Sequence, residues 1–205
     1  MYVPEKLTPI RYADARPLIR DGDIALYRVG DRGKLSNMLI SRIGGTPYVH
    51  AGMLYRTIRW GEERLILAET IQWRGGRIIP FSKQAKAYPG QWDIYRPKQP
   101  YNARGAVLEM DRLVGLNYGW ASVIRASLGH TRFISRWLPP VLDSAIGEGA
   151  PPFCSQAVSA ACRDGGDRDP QPGLLDSVTE PGHLADPGFA EYQFTLFWDR
   201  IPEVA

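Results

Sequence analysis

Two cysteines and three histidines supply the nucleophile and base candidates of this 205-residue chain. Both cysteines lie in "PPFCSQAVSAAC", residues 151–162. Proline is tolerated in the first turn of a helix, so the segment reads as a helix that starts within about one residue of Cys154. Unpaired backbone N–H groups and the helix dipole favour an anion there, which lowers a thiol pKa. The same N–H groups can stabilise an oxyanion on an attacked carbonyl. Cys162 follows two turns deeper, beside Ala160 and Ala161, and reads as a buried structural thiol. On one helix the two residues are about 12 Å apart along the axis, beyond the roughly 7 Å limit between disulfide-bonded Cα atoms. No further Cys or His stands nearby, so the pair marks neither a disulfide framework nor a zinc site.

A thiol nucleophile needs a base. His50 interrupts the apolar run "YVHAGMLY", where strand alternation places Tyr48, His50, Gly52 and Leu54 on one face. Gly52 has no side chain, so it is expected to leave room beside His50 for the cysteine helix. The plainer reading is a half-buried histidine bonded to a backbone carbonyl. His130, in "SLGHTR", reads as exposed, and His183, in "EPGHLADP", as part of a turn. The imidazole needs an orienting partner. Glu69 ends the apolar run Leu65–Ala68 on the neighbouring strand, where an unpaired carboxylate would be costly to bury. It either pairs with His50 across the hairpin or forms a surface salt bridge.

The elements that must hold these groups read as follows. Residues 1–20 form an arm with a short helical piece near Ala13–Arg20. "DGDIALYRV" is a first strand, and "GKLSNMLISRI" has helical spacing. "YVHAGMLYRTI" and "ERLILAETI", joined by "RWGEE", form an antiparallel hairpin. "GGRIIPF" and "QWDIYRP" are further strands, separated by about one helical turn in "SKQAKAY". "YNARGAVLEMDRLVGL" is helical and is expected to stop at Gly115 or Asn117. The cysteine helix runs from about Phe153 to Arg163, "TEPGHLADP" is a loop or single turn, and "EYQFTLFWD" is a closing strand. Strands first, helices next and a strand last predict an α+β domain spanning 1–205.

Composition narrows the function classes. A 44% hydrophobic content supports a real core, and the 21 glycines and 17 prolines are spread among apolar runs, unlike a disordered tract. The net charge is only +3, with basic residues scattered among acidic ones, so nucleic acid is not an expected partner. No run reaches the roughly 18–20 apolar residues of a membrane span, although peripheral membrane contact stays open. The N-terminal stretch shows no apolar run of signal-peptide length, which predicts a cytoplasmic protein. Neither a P-loop nor a dinucleotide loop is present.

Taken in order, "DGDIALYRV", "YVHAGMLY", "LILAET", "LNYGW", "FCSQAVSAAC" and "TEPGHLA" resemble the permuted NlpC/P60 group of papain-like cysteine hydrolases. Within it the chain is most similar to the YiiX/YebB-like branch, with a more distant likeness to the lecithin–retinol acyltransferases. The resemblance covers residues 21–188 and implies an antiparallel sheet packed on helices, with the nucleophile at a helix N-terminus. It implies Cys154 as nucleophile, His50 as general base and acid, and Glu69 as orienter. Tyr118 matches a tyrosine that lines the active site in many members, and Tyr48 and Ser155 are assigned with it to substrate contact. His183 stands where the family often has an acid, so no role passes to it.

The implied reaction is cysteine-dependent hydrolysis of an amide bond, of peptide or peptidoglycan type, through an acyl-enzyme, with no metal or organic cofactor. One alternative is a lipid- or ester-directed acyltransferase or thioesterase on the same triad. The other is a non-catalytic binding module with a papain-like fold. Residues 119–150, with Trp120, Phe133 and Trp137 beside Arg125, Arg132 and Arg136, read as an inserted helical segment. It reads as a lid over an apolar or lipid-like acyl group, as an interfacial element, or as a cap on the core with solvated arginines.

Overall fold

A computed structural model describes residues 3–29, 45–71, 74–88, 91–116, 152–176 and 179–199. The helix expected over 33–43, the 119–150 segment, Tyr118 and His130 lie outside these residues. The long apolar alternation in the first half of the chain forms β2 (Asp23–Arg28), β3 (Tyr48–Arg59), β4 (Glu62–Ile71), β5 (Gly75–Pro80) and β6 (Trp92–Pro97). β1 (Pro9–Arg11) precedes them and β7 (Ala190–Phe197) closes the sheet. The helices are α1 (Tyr12–Ala15), α2 (Phe81–Ala87), α3 (Ala103–Arg112) and α4 (Cys154–Asp164), with 3₁₀ turns at Arg16–Leu18 and Pro181–Ala185.

The described strands make one seven-stranded sheet in the order β1-β7-β6-β2-β3-β4-β5. All neighbours are antiparallel except β1 and β7. Period-2 alternation sends successive side chains to opposite faces, and both faces are covered. Ile24, Leu26, Met53, Ile66 and Ala68 pack with Ala106 and Met110 of α3 and with Ala157 and Ala161 of α4. Ala25, Leu54, Leu67 and Ile94 pack instead with Ile19, with Phe81 and Ala85 of α2, and with Ala15 of α1. This is a mixed α/β architecture, consistent with the α+β expectation.

Small residues fix how α4 sits. A Cβ on Gly105 of α3 would run into the carbonyl oxygen of Gly165, and a Cβ on Gly165 into that of Gly105. The two helices therefore cross at backbone contact distance. Asn102 caps α3, its side chain accepting from the Gly105 amide at 3.0 Å, a cap that contributes about 1 kcal/mol.

Two boundaries differ from the sequence reading. The arm contributes the edge strand β1, in register with β7 through Pro9↔Thr195 and Arg11↔Phe197. Three residues are too short to show alternation, and their pairing depends on a segment far along the chain. The second difference is that α3 stops at Arg112 rather than at Gly115 or Asn117. Val114 bridges to Gly76 instead, and the Gly115 amide donates to the Gly76 carbonyl at 2.9 Å.

Candidate active site

Two secondary-structure ends meet at the site. The β3–β4 ladder runs from Arg59↔Glu62 to Gly52↔Glu69 and is not continued at Ala51 and His50. The start of α4 meets β3 there. The thiol of Cys154 is hydrogen-bonded with His50 and receives the backbone amides of Ala51 and Ser155. Phe153 is the N-cap residue with extended backbone (φ −89°, ψ 176°). Its amide donates to the Gln156 side chain at 3.4 Å, so the first turn is closed by Gln156 and the thiol is left to face the sheet.

His50 Nε2 lies 3.0 Å from Oε2 of Glu69, which leaves Nδ1 as the nitrogen available to the thiol. The imidazole also packs edge-on against Tyr27, with ring centroids 4.7 Å apart. Glu69 is buried, and both of its carboxylate oxygens accept hydrogen bonds. Tyr27 donates its hydroxyl to Oε2 at 2.6 Å. Arg77, opposite Glu69 in the β4–β5 register, donates through Nε to Oε1 at 2.8 Å and through Nη2 to the same oxygen. Gln84 of α2 accepts from Arg77 Nη2 at 3.2 Å.

These contacts set the charges. Burial alone would push the Glu69 carboxyl up. The bond and charge of His50, then Tyr27 and Arg77, outweigh it and hold the carboxyl at about 2. Burial alone would lower His50, but the Cys154 sulfur and then Glu69 raise it above the usual histidine range. Burial would raise the Cys154 thiol, yet the His50 charge, its hydrogen bond and the Ala51 and Ser155 amides bring it below an ordinary cysteine. Both directions work toward a thiolate–imidazolium pair backed by a carboxylate. Such a pair can attack an electrophilic carbon and hand a proton to a leaving group.

Cys162 behaves in the opposite way on the same helix. Burial pushes its thiol up to about 12, and its described polar contact is the Tyr101 hydroxyl at 3.6 Å. Neither cysteine is disulfide-bonded.

The structure brings Cys154, His50 and Glu69 together and gives the side chains of Tyr48, Ser155 and His183 other partners. Tyr48 does not share a face with His50. The β2–β3 register shifts between Tyr27 and Arg28, so Tyr27 pairs with His50 while Arg28 pairs with Tyr48. The irregularity puts Tyr48 in the cluster with Ala51 and Met53, where its hydroxyl donates to Asp93 at 2.6 Å. Ser155 is fully buried and donates to the Thr179 carbonyl at 2.6 Å, which ties α4 to the segment ahead of the Pro181–Ala185 turn. Gly52 makes room for β4 rather than for α4: a Cβ there would crowd the Leu67 side chain, the Ala68 carbonyl and Cβ of Glu69. His183 Nδ1 accepts from the Glu180 amide at 3.0 Å and closes its turn.

Sequence reasoning missed Arg77 and Tyr27. Their signal was the strand pairing itself, because both stand on neighbouring strands beside Glu69 or His50. Among the described residues, no group of three or more His, Cys, Asp and Glu is arranged to hold a metal ion. No helix among them is long and apolar enough to cross a membrane.

No family model matches the chain, and no curated protein matches it. Among solved structures the chain is similar to the metalloprotein yiiX from Escherichia coli O157:H7 (DUF1105), at 14% identity and a TM-score of 0.44. The likeness covers 71% of this chain and spans 66% of the length of that protein.

Proposed function

We propose that the protein is a cysteine-dependent hydrolase that cleaves an amide bond through an acyl-enzyme, on a permuted papain-like NlpC/P60 scaffold. The observation that carries this reading is the contact series Cys154–His50–Glu69, a thiol at a helix start bonded to an imidazole that is itself bonded to a buried carboxylate. The order of these residues along the chain, base before nucleophile, supports the permuted arrangement.

In this reading the Cys154 thiolate attacks the carbonyl carbon, and a C–S bond forms as the carbonyl π electrons move to oxygen. Collapse breaks the carbon–nitrogen bond, and the departing amine takes the proton held on His50. His50, now neutral, removes a proton from water, and the resulting hydroxide attacks the thioester. Collapse releases the acid and returns the thiolate, with the proton back on His50. Glu69 stays ionised and holds the ring with Nε2 inward.

The test is the pH dependence of Cys154 alkylation by iodoacetamide, followed by mass spectrometry separately at Cys154 and Cys162. In wild type, Cys154 is expected to react with an apparent pKa well below the reference of about 8.5, and His50→Ala is expected to raise it. A Cys154 that labels like a free thiol in both proteins would sink the hydrolase reading and leave a binding module.

A further inference from the structure

The Glu69 carboxylate carries more positive charge around it than a histidine orienter requires. The titratable groups that face it are Tyr27 from β2, His50 from β3 and Arg77 from β5, with Cys154 of α4 beyond the imidazole. Gln84 of α2 faces Arg77 as a neutral partner. Tyr27 is buried and stays protonated, since burial and Glu69 both push its hydroxyl up. Four charges therefore remain in the reactive state: Cys154 and Glu69 negative, His50 and Arg77 positive. They sum to zero.

We infer that Arg77 is a positioning residue whose charge keeps the buried Cys154–His50–Glu69 set electrically neutral when the thiol is ionised. The inference rests on the thiolate reading of the site proposed above. Without Arg77 the same protonation state carries one net negative charge, with both anions, Glu69 and Cys154, buried. Desolvation opposes that charge, and the cheapest correction is a proton on the thiolate. Arg77 also fixes which carboxylate oxygen serves His50. Its fork occupies Oε1 through Nε and Nη2, so Oε2 is left to Tyr27 and the imidazole. Arginine suits this because its fork is planar and its charge is permanent.

The same charge matters after acylation. Once the sulfur is esterified and His50 has given up its proton, Glu69 would be a lone buried anion. Arg77 keeps it ionised, so Nε2 of His50 keeps its hydrogen and Nδ1 stays free to accept a proton from water. Arg77 thus serves both halves of the cycle without touching the substrate.

The test is the iodoacetamide pH profile of Cys154 in wild type, Arg77→Met, Arg77→Gln and Arg77→Lys, with thermal unfolding measured on each. Arg77→Met is expected to raise the apparent pKa by about one pH unit, the low end of what a nearby charge does. Labelling on the acid limb then slows about tenfold. Arg77→Lys keeps the charge and is expected to recover most of the shift, whatever its melting temperature. If Arg77→Met does not fold, Arg77→Gln, which can still donate to Glu69 without charge, carries the same expectation. A neutral variant with the wild-type profile overturns the inference, and so does a lysine variant as impaired as the methionine one. A wild type without a depressed, His50-dependent pKa would instead overturn the thiolate reading itself, so the two failures are distinguishable.

Discussion

Glu69 and Asp93 are two carboxylates with fully buried side chains in one sheet, and each is held by an arginine and a tyrosine. At Asp93, Arg28 and Tyr48 donate to Oδ2 at 2.7 and 2.6 Å, and Thr195 donates to Oδ1 at 2.6 Å. At Glu69, Arg77 occupies one oxygen, while Tyr27 and His50 share the other. Both carboxylates meet the same desolvation problem in the same way. They differ in the remaining partner. Thr195 is a neutral hydroxyl, whereas His50 titrates and touches a thiol. Asp23, paired with Arg96 at 2.8 Å, repeats the arginine theme a third time. A buried carboxylate held by a partly exposed arginine is therefore a feature of how this sheet carries charge, and the imidazole–thiol contact is what makes one of them a candidate active site.

The largest contrast is expected from neutralising each carboxylate in turn. Glu69→Gln removes the charge that helps raise His50, so the thiolate–imidazolium pair weakens. Iodoacetamide labelling of Cys154 at neutral pH is expected to slow about tenfold or more, since an adjacent opposite charge is worth roughly one to three pKa units. Asp93→Asn should leave that labelling unchanged. Its cost falls on folding, about 3 kcal/mol by denaturant titration, because it leaves Arg28 partly buried without its counter-charge. If Asp93→Asn alters the Cys154 profile as much as Glu69→Gln does, the two carboxylates are one coupled network and Glu69 has no separate role.

Much of the candidate site is legible in the sequence. Cys154, His50 and Glu69 each break a local pattern: a thiol at a helix start, and polar groups within or directly after apolar strand runs. The helix α4 and the β3–β4 hairpin were readable for the same reason, since their periodicities are long and uninterrupted. Tyr48 was misplaced because a register irregularity adds one residue to the count, and strict alternation then assigns every residue beyond it to the wrong face. Arg77 and Tyr27 were missed because a cross-strand neighbour is defined by register, which the sequence of one strand does not state. Ser155 looked available for substrate because nothing in "FCSQ" shows that the Thr179 carbonyl, 24 residues on, takes its hydroxyl.

Acid sharpens the comparison with a smaller effect. Glu69 is held at about 2, below its ordinary value of 4.5. A carboxyl lowered on folding contributes stability that is complete above the unfolded value and is lost as pH falls toward the folded one. The stability difference between wild type and Glu69→Gln is therefore expected to be level from pH 4.5 to about 6, below the ordinary histidine range, and to shrink as pH falls toward about 2. Urea titrations of both proteins at several acid pH values would measure it. A difference that stays level across that range would mean the Glu69 carboxyl is not lowered by folding.

The smallest effects come from the two tyrosines, which test the comparison without changing any formal charge. Tyr27→Phe takes one donor from Oε2 of Glu69, and Tyr48→Phe takes one from Oδ2 of Asp93. Each deletes a hydrogen bond to a charged acceptor, so each is expected to cost about 1.5–3 kcal/mol of stability. Tyr48→Phe also leaves the Tyr95 hydroxyl, 2.8 Å away, without that neighbour, which places it at the upper end of the range. Only Tyr27→Phe should reach the thiol. With one donor fewer, the Glu69 charge is less dispersed and the buried set binds a proton more readily. The apparent pKa of Cys154 is therefore expected to rise, by less than in Arg77→Met because the net charge is unchanged. Equal labelling profiles in the two phenylalanine variants, alongside equal losses of stability, would show that Tyr27 supports the fold and not the reactive pair.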